Sequence, residues 1–244
     1  MMRITDTVKH LIIINVIFFA ARQIPDIGDT VYVNMALFYP ENPFFRIWQL
    51  ISHMFMHGSF MHILFNMYAL WAFGSPLEAM WGRNKFLFFY FAAGLGAGLL
   101  YTLVNYIQFE SALNTLFESG LSENGVLNEI YNKNEFNSIA LQTANDIFKS
   151  HAVGASGAIY GVLVAFAFKY PDVELMLMFI PVPIKAKFFI PAIVALDLFS
   201  GLTGFSIFGA FGGGGIAHFA HVGGALIGYL LMLYFQKTQF KRWN

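Results

Sequence analysis

The chain has 244 residues, of which 57% are hydrophobic and only 11% charged, against about 25% charged in an ordinary water-soluble domain. With a net formal charge of zero no basic patch argues for nucleic acid, and the absence of cysteine excludes disulfides, thiolate zinc sites and thiol nucleophiles. The composition is that of a membrane protein.

Backbone polar groups must be satisfied inside a bilayer, so an all-α membrane fold follows. A spanning helix takes about 20 mostly apolar residues, and six segments are predicted, near residues 9–22, 59–79, 84–107, 155–170, 187–205 and 216–236. The first follows Arg3 and Lys9 without a convincing small-residue cleavage site behind it, and reads as a retained helix. Residues 23–58 turn aromatic after Asp29, with Phe38, Tyr39, Phe44, Phe45 and Trp48, which suits a segment lying in the membrane interface. Residues 105–154 are polar and read as an extended loop, either a short helical insert or a flexible segment. The Gly201–Gly215 loop holds seven of the 22 glycines and is a candidate mobile cap or a plain linker. No internal repeat is evident, so residues 1–244 are predicted to form one membrane-embedded domain.

With both termini on one side, ten of the fourteen Lys and Arg residues fall on that side and four on the other. The positive-inside rule then predicts cytoplasmic termini and an extracytoplasmic 105–154 loop. Helices 2, 4 and 6 run in parallel in this arrangement, and their N-terminal ends share one depth near the outer face.

Polar side chains inside apolar spans are costly and point to function. Here they gather at that depth. His62 and Asn66 lie one turn apart on helix 2. Helix 4 opens Gly154-Ala155-Ser156-Gly157, with Tyr160 a turn below, and helix 6 carries His218 and His221. Gly157/Gly161 and Gly224/Gly228 are small-xxx-small pairs that let helices approach closely, so helix 4 packed on helix 6 would bring Ser156 to a histidine. A serine hydroxyl becomes nucleophilic when an adjacent base takes its proton. His62, Asn66 and the Ser156 amide are the donors available to an oxyanion. Asp197, the one intramembrane acid that is a candidate to orient the base, is expected deeper or on the other side, which leaves Tyr160 to orient the base by stacking. Each residue has a plainer role: a helical serine bonded to its own carbonyl, a packed histidine, a His/Asn pair tying helices together. Histidines at 218 and 221, with 53, 57 and 62, could also ligate a metal.

Three separated motifs, HGSFMHILFN (57–66), GASGAIYG (154–161) and HVGGALIG (221–228), resemble the rhomboid intramembrane serine proteases in their bacterial six-helix form. The resemblance runs from Trp48 to the C-terminus. It implies Ser156 as nucleophile and His221 as base, since the base is the histidine followed seven residues on by a glycine; His218 is then a neighbour without a direct role. It implies His62 and Asn66 as oxyanion contributors, supported by Gly154 and Gly157, and Tyr160 stacked on the base. Glu78 and His57 fall on structural positions. One departure is Trp48-Gln49, where the family often has Trp-Arg. Implied with these are a six-helix rhomboid-like bundle, cleavage of single-span membrane proteins in the bilayer, no cofactor or metal, and a bacterial inner membrane. The long 105–154 stretch is expected to modulate substrate access. The alternatives are an inactive rhomboid-like protein that binds membrane clients, and a histidine-based metal-binding membrane protein or transporter.

Overall fold

A computed structural model describes residues 3–132, 138–177, 180–204 and 217–240. Helix α1 (Asp6–Arg22) places Asp6 in its first turn and Arg22 in its last, each complementing the helix dipole. The aromatic segment that follows is neither extended nor simple loop. It folds into α2 (Ile27–Met35), the short strand β1 (Leu37–Phe38), α3 (Gln49–Ser52) and a 3-10 turn (His53–Phe55). Gln49 is fully buried and holds this segment together. Its Nε2 donates to the carbonyls of Val33 at 3.0 Å and Phe44 at 2.9 Å, and its Oε1 accepts the Arg46 amide at 3.1 Å. A neutral amide thus anchors the loop where the resemblance led us to look for an arginine.

The second predicted span is a rod of α4 (Phe60–Ala69), a π-helical turn (Leu70–Gly74) and α5 (Ser75–Trp81). Ser59 caps it by accepting the His62 amide, and Gly82, at φ 76°, ends it. Next comes α6 (Arg83–Glu118), 36 residues long. At 1.5 Å per residue it measures about 54 Å, well beyond the roughly 30 Å of a hydrocarbon core. Its C-terminal turns run into the stretch expected to be loop, as far as Glu118. Upon them fold α7 (Glu123–Asn132) and α8 (Ile139–Lys149), around a second apolar core of Phe109, Leu113, Leu116, Val126, Ile130 and Phe148, joined by Tyr39 from beyond β1. Strand β2 (His151–Ala152) then pairs antiparallel with β1.

Helix α9 (Ser156–Lys169) is followed by a hairpin of β3 (Glu174–Leu177) and β4 (Ile180–Lys185), then α10 (Ala186–Thr203) and α11 (His218–Phe240). Among the described residues, three helices are long and apolar enough to cross a membrane: Arg83–Glu118, Ala186–Thr203 and His218–Lys237. The other three predicted spans are shorter pieces, with 17 residues in α1, 14 in α9 and the π-turn dividing the α4–α5 rod. Most of the glycine-rich loop between α10 and α11 lies outside the described residues, and with it the expectation of a cap.

The main core is built where α11 packs on α6 and α9. Glycines set the spacing. A Cβ on Gly224 would sit 1.8 Å from the Gly157 carbonyl oxygen, and one on Gly228 would sit 2.6 Å from the Gly161 Cα. Backbone therefore meets backbone along the two small-residue pairs. Outward faces carry Ile17, Phe60, Phe188 and Leu230, all exposed, as a lipid-facing surface requires.

Candidate active site

Ser156 is the first residue of α9, where backbone amides have no acceptor within the helix. The segment leading to it is tied down on both sides. The Gly154 amide donates to the His53 carbonyl at 2.9 Å, two residues beyond the β1–β2 pair. Gly154 has φ 122°, and a Cβ there would lie 2.6 Å from His62 Nε2 and 3.5 Å from Ser156 Oγ. Only glycine fits, on conformation and on space alike. Its lack of a side chain lets the His62 ring stand beside the serine.

The α9–α11 glycine contact brings His221 to the other side of the serine. His221 Nε2 lies 2.8 Å from Ser156 Oγ. The Tyr160 ring, one turn below Ser156, stacks on the imidazole with centroids 4.3 Å apart and planes within 10°.

Behind His221 the structure departs from expectation. Asp197 is neither too deep nor on the other side: its Oδ1 lies 3.2 Å from His221 Nδ1 and 2.5 Å from His218 Nδ1, and its Oδ2 accepts the Tyr160 hydroxyl. Thr203 ends α10, so Asp197 lies about 9 Å short of that end, at the depth of Tyr160, one turn into α9. His218, expected to be a neighbour without a direct role, is buried and holds the same carboxylate oxygen. The signal for both was present in the sequence, since a lone acid in an apolar helix needs a partner and histidine was the one on offer.

The remaining predicted residues surround the serine. His62 Nδ1 accepts the Gly58 amide at 3.4 Å, which leaves Nε2 as its protonated nitrogen, beside Gly154. Asn66 is buried, and its Nδ2 has no hydrogen-bond partner among the described residues. Gly157 lies in the helix contact, against Ala97 and the Ala220 carbonyl. His57 is fully buried with its ring edge-on to His62, and its carbonyl accepts from Arg22 at 2.6 Å. Among the described residues no cluster of histidines and carboxylates has the arrangement of a metal site. A hydroxyl, a base that can take its proton and unpaired donors around them is an arrangement able to perform acyl transfer.

The family model for the rhomboid domain matches residues 45–238. The chain belongs to the rhomboid family. Its relatives include "Presenilin-associated rhomboid-like protein A, mitochondrial" of Danio rerio, 28% identical over 225 residues, 91% of this chain and 46% of that protein. "Rhomboid protein 1, mitochondrial" of Saccharomyces cerevisiae is 28% identical over 193 residues, 79% of this chain and 43% of that protein. "Rhomboid protease AarA" of Providencia stuartii is 26% identical over 192 residues, covering 76% of this chain and 55% of that protein. The chain spans about half the length of the curated relatives it matches. Family and apolar helices together make this rhomboid domain a membrane protein. Most of these relatives are named mitochondrial, so they give no support to the bacterial inner membrane expected from the sequence.

Proposed function

We propose that this rhomboid is a serine endopeptidase that cleaves single-span membrane proteins within or beside their transmembrane helix. The carrying observation is the 2.8 Å approach of His221 Nε2 to Ser156 Oγ among apolar helices. Ser156 Oγ attacks the scissile carbonyl carbon while its proton passes to His221 Nε2. The tetrahedral oxyanion is held by the Ser156 amide, His62 Nε2–H and Asn66 Nδ2–H; the unpartnered Asn66 donor supports this assignment. Collapse breaks the C–N bond, and His221 returns the proton to the leaving amine. A water activated by the same base then hydrolyses the acyl-enzyme. The reading includes a bundle of six membrane helices, with α1, the α4–α5 rod and α9 as its shorter spans. Both termini lie on the side bearing ten of the fourteen basic residues, and the site opens to the opposite side.

The test is cleavage of transmembrane substrates in proteoliposomes, with fluorophosphonate labelling beside it. Wild type cleaves and labels at Ser156. Ser156→Ala loses both, and His221→Ala loses at least about 10³-fold in rate. Cleavage by Ser156→Ala at the wild-type rate sinks the proposal. Client binding without cleavage or labelling in wild type identifies an inactive relative.

A further inference from the structure

We infer that Asp197 is a positioning residue for His221, turning the Ser156–His221 pair into a three-member relay; the inference rests on the protease reading above. The Asp197 side chain is only 2% exposed. An ionised carboxylate accepts hydrogen bonds and donates none, and three donors converge on this one from two helices. Tyr160 of α9 donates to Oδ2; His218 and His221 of α11 approach Oδ1 through Nδ1, at 2.5 and 3.2 Å. Both imidazoles must therefore carry hydrogen on Nδ1. For His221 this has a chemical consequence. The neutral ring has one N–H, so Nε2 is bare, and Nε2 is the atom 2.8 Å from Ser156 Oγ. The opposite tautomer would point an N–H at the serine and leave Asp197 short of a donor. Stacking on Tyr160 fixes the plane of the ring but does not distinguish its two nitrogens. Only a group on the Nδ1 side does that, and among the described residues Asp197 is that group. Tyr160 thus acts twice, through its ring on the base and through its hydroxyl on the acid.

A plainer role is a tie between α9, α10 and α11, which would affect stability alone. The role inferred here also sets the tautomer and the imidazolium formed during acylation, and so acts on kcat. Asp197→Asn preserves shape, but its amide can donate to His221 Nδ1 and select the wrong tautomer. The experiment measures kcat and KM on a transmembrane substrate for wild type, Asp197→Asn and Asp197→Glu, together with ¹⁵N-histidine NMR of unmodified protein in nanodiscs. The expected result is a fall in kcat of roughly 100-fold or more for Asp197→Asn, an unchanged KM, partial recovery in Asp197→Glu, and a wild-type His221 spectrum of the Nδ1–H tautomer. A folded Asp197→Asn with kcat within about threefold of wild type overturns the inference while Ser156→Ala remains dead and the protease reading stands. A wild-type His221 protonated on Nε2 overturns it even if the variant does not fold. Absence of Ser156-dependent turnover on any substrate fails the protease reading separately.

Discussion

Glu78 does for α1 what that helix cannot do for itself. Thr5 stands at the N-cap with extended backbone but makes no side-chain cap bond. Glu78, more than seventy residues away on α5, supplies the acceptors instead: Oε1 takes the Thr7 amide at 3.0 Å, Oε2 takes the Val8 amide at 2.9 Å and also the Thr5 hydroxyl. A carboxylate at a helix N-terminus satisfies orphan amides and meets the positive end of the dipole. Glu78→Ala leaves those amides buried without partners, and a loss of about 2–4 kcal/mol is expected. The measurement is equilibrium unfolding in detergent. Stability within roughly 0.5 kcal/mol of wild type would mean that α1 starts without its cross-helix cap. Activity of the folded fraction should survive, because Glu78 joins α1 to α5 and contributes no group to the serine site.

At the scale of elements, the α9–α11 contact is what turns two distant sequence motifs into a pair. Gly224 has no room for even one methyl, with the Gly157 carbonyl oxygen 1.8 Å from where it would go. Gly224→Ala must push the helices apart by more than an ångström to reach ordinary van der Waals separation. His221, one turn away on the same helix, moves with α11, and a displacement of about 1 Å at reacting groups costs on the order of 100-fold in rate. We expect Gly224→Ala to fold with reduced stability and to lose cleavage by at least that factor, measured on the same substrate as wild type; full activity would mean that this contact does not set the serine–histidine distance. The contact was legible in the sequence because small-residue spacing survives any uncertainty about helix ends. The extent of α6 was not. The polar residues after 105 read as a short helical insert or a flexible loop. Yet the pattern was there: Phe109, Ala112, Leu113 and Leu116 are buried, at the i, i+3, i+4 and i+7 spacing of a helix face. Ser156, His221, Tyr160, His62 and Asn66 could be picked out because they are polar residues in apolar helices, but what each bonds to is a three-dimensional fact that spacing does not carry.

In the molecule as a whole, the segment ahead of the rod, the β1–β2 pair and the loop entering α9 form one rim around the serine, and that rim contains histidines kept neutral by burial. His53 is buried, its Nδ1 2.8 Å from the Gln49 carbonyl, while its own carbonyl holds the Gly154 amide. Burial pushes its imidazole down to about 4 and that of His57 down to about 3. His151, whose Nε2 lies 2.8 Å from the Tyr32 hydroxyl, is also lowered, first by burial. An unfolded histidine titrates near 6.5. Above that pH neither state binds the proton, and the full stability is present. Below it the unfolded chain takes up protons that the folded rim refuses, so stability falls as pH drops from 6.5 toward the folded values. Between pH 7 and 5 His53 and His57 each remove about 2 kcal/mol. Carboxylates with lowered values, Asp6 and Asp172, act on the same side but at lower pH, and both are exposed, so they add little in this window. The expected outcome is a melting temperature that declines steadily from pH 7 to pH 5 in nanodiscs, with recovery on return to neutral pH. His53→Gln should melt lower at pH 7 yet show a shallower decline, because it removes a titrating group while leaving a side chain able to donate to the Gln49 carbonyl. A decline of equal steepness in His53→Gln would assign the acid sensitivity to groups outside this rim. Because His53 carries the Gly154 amide, cleavage should fall over the same interval as the melting temperature, the loop before Ser156 loosening as the rim takes up protons.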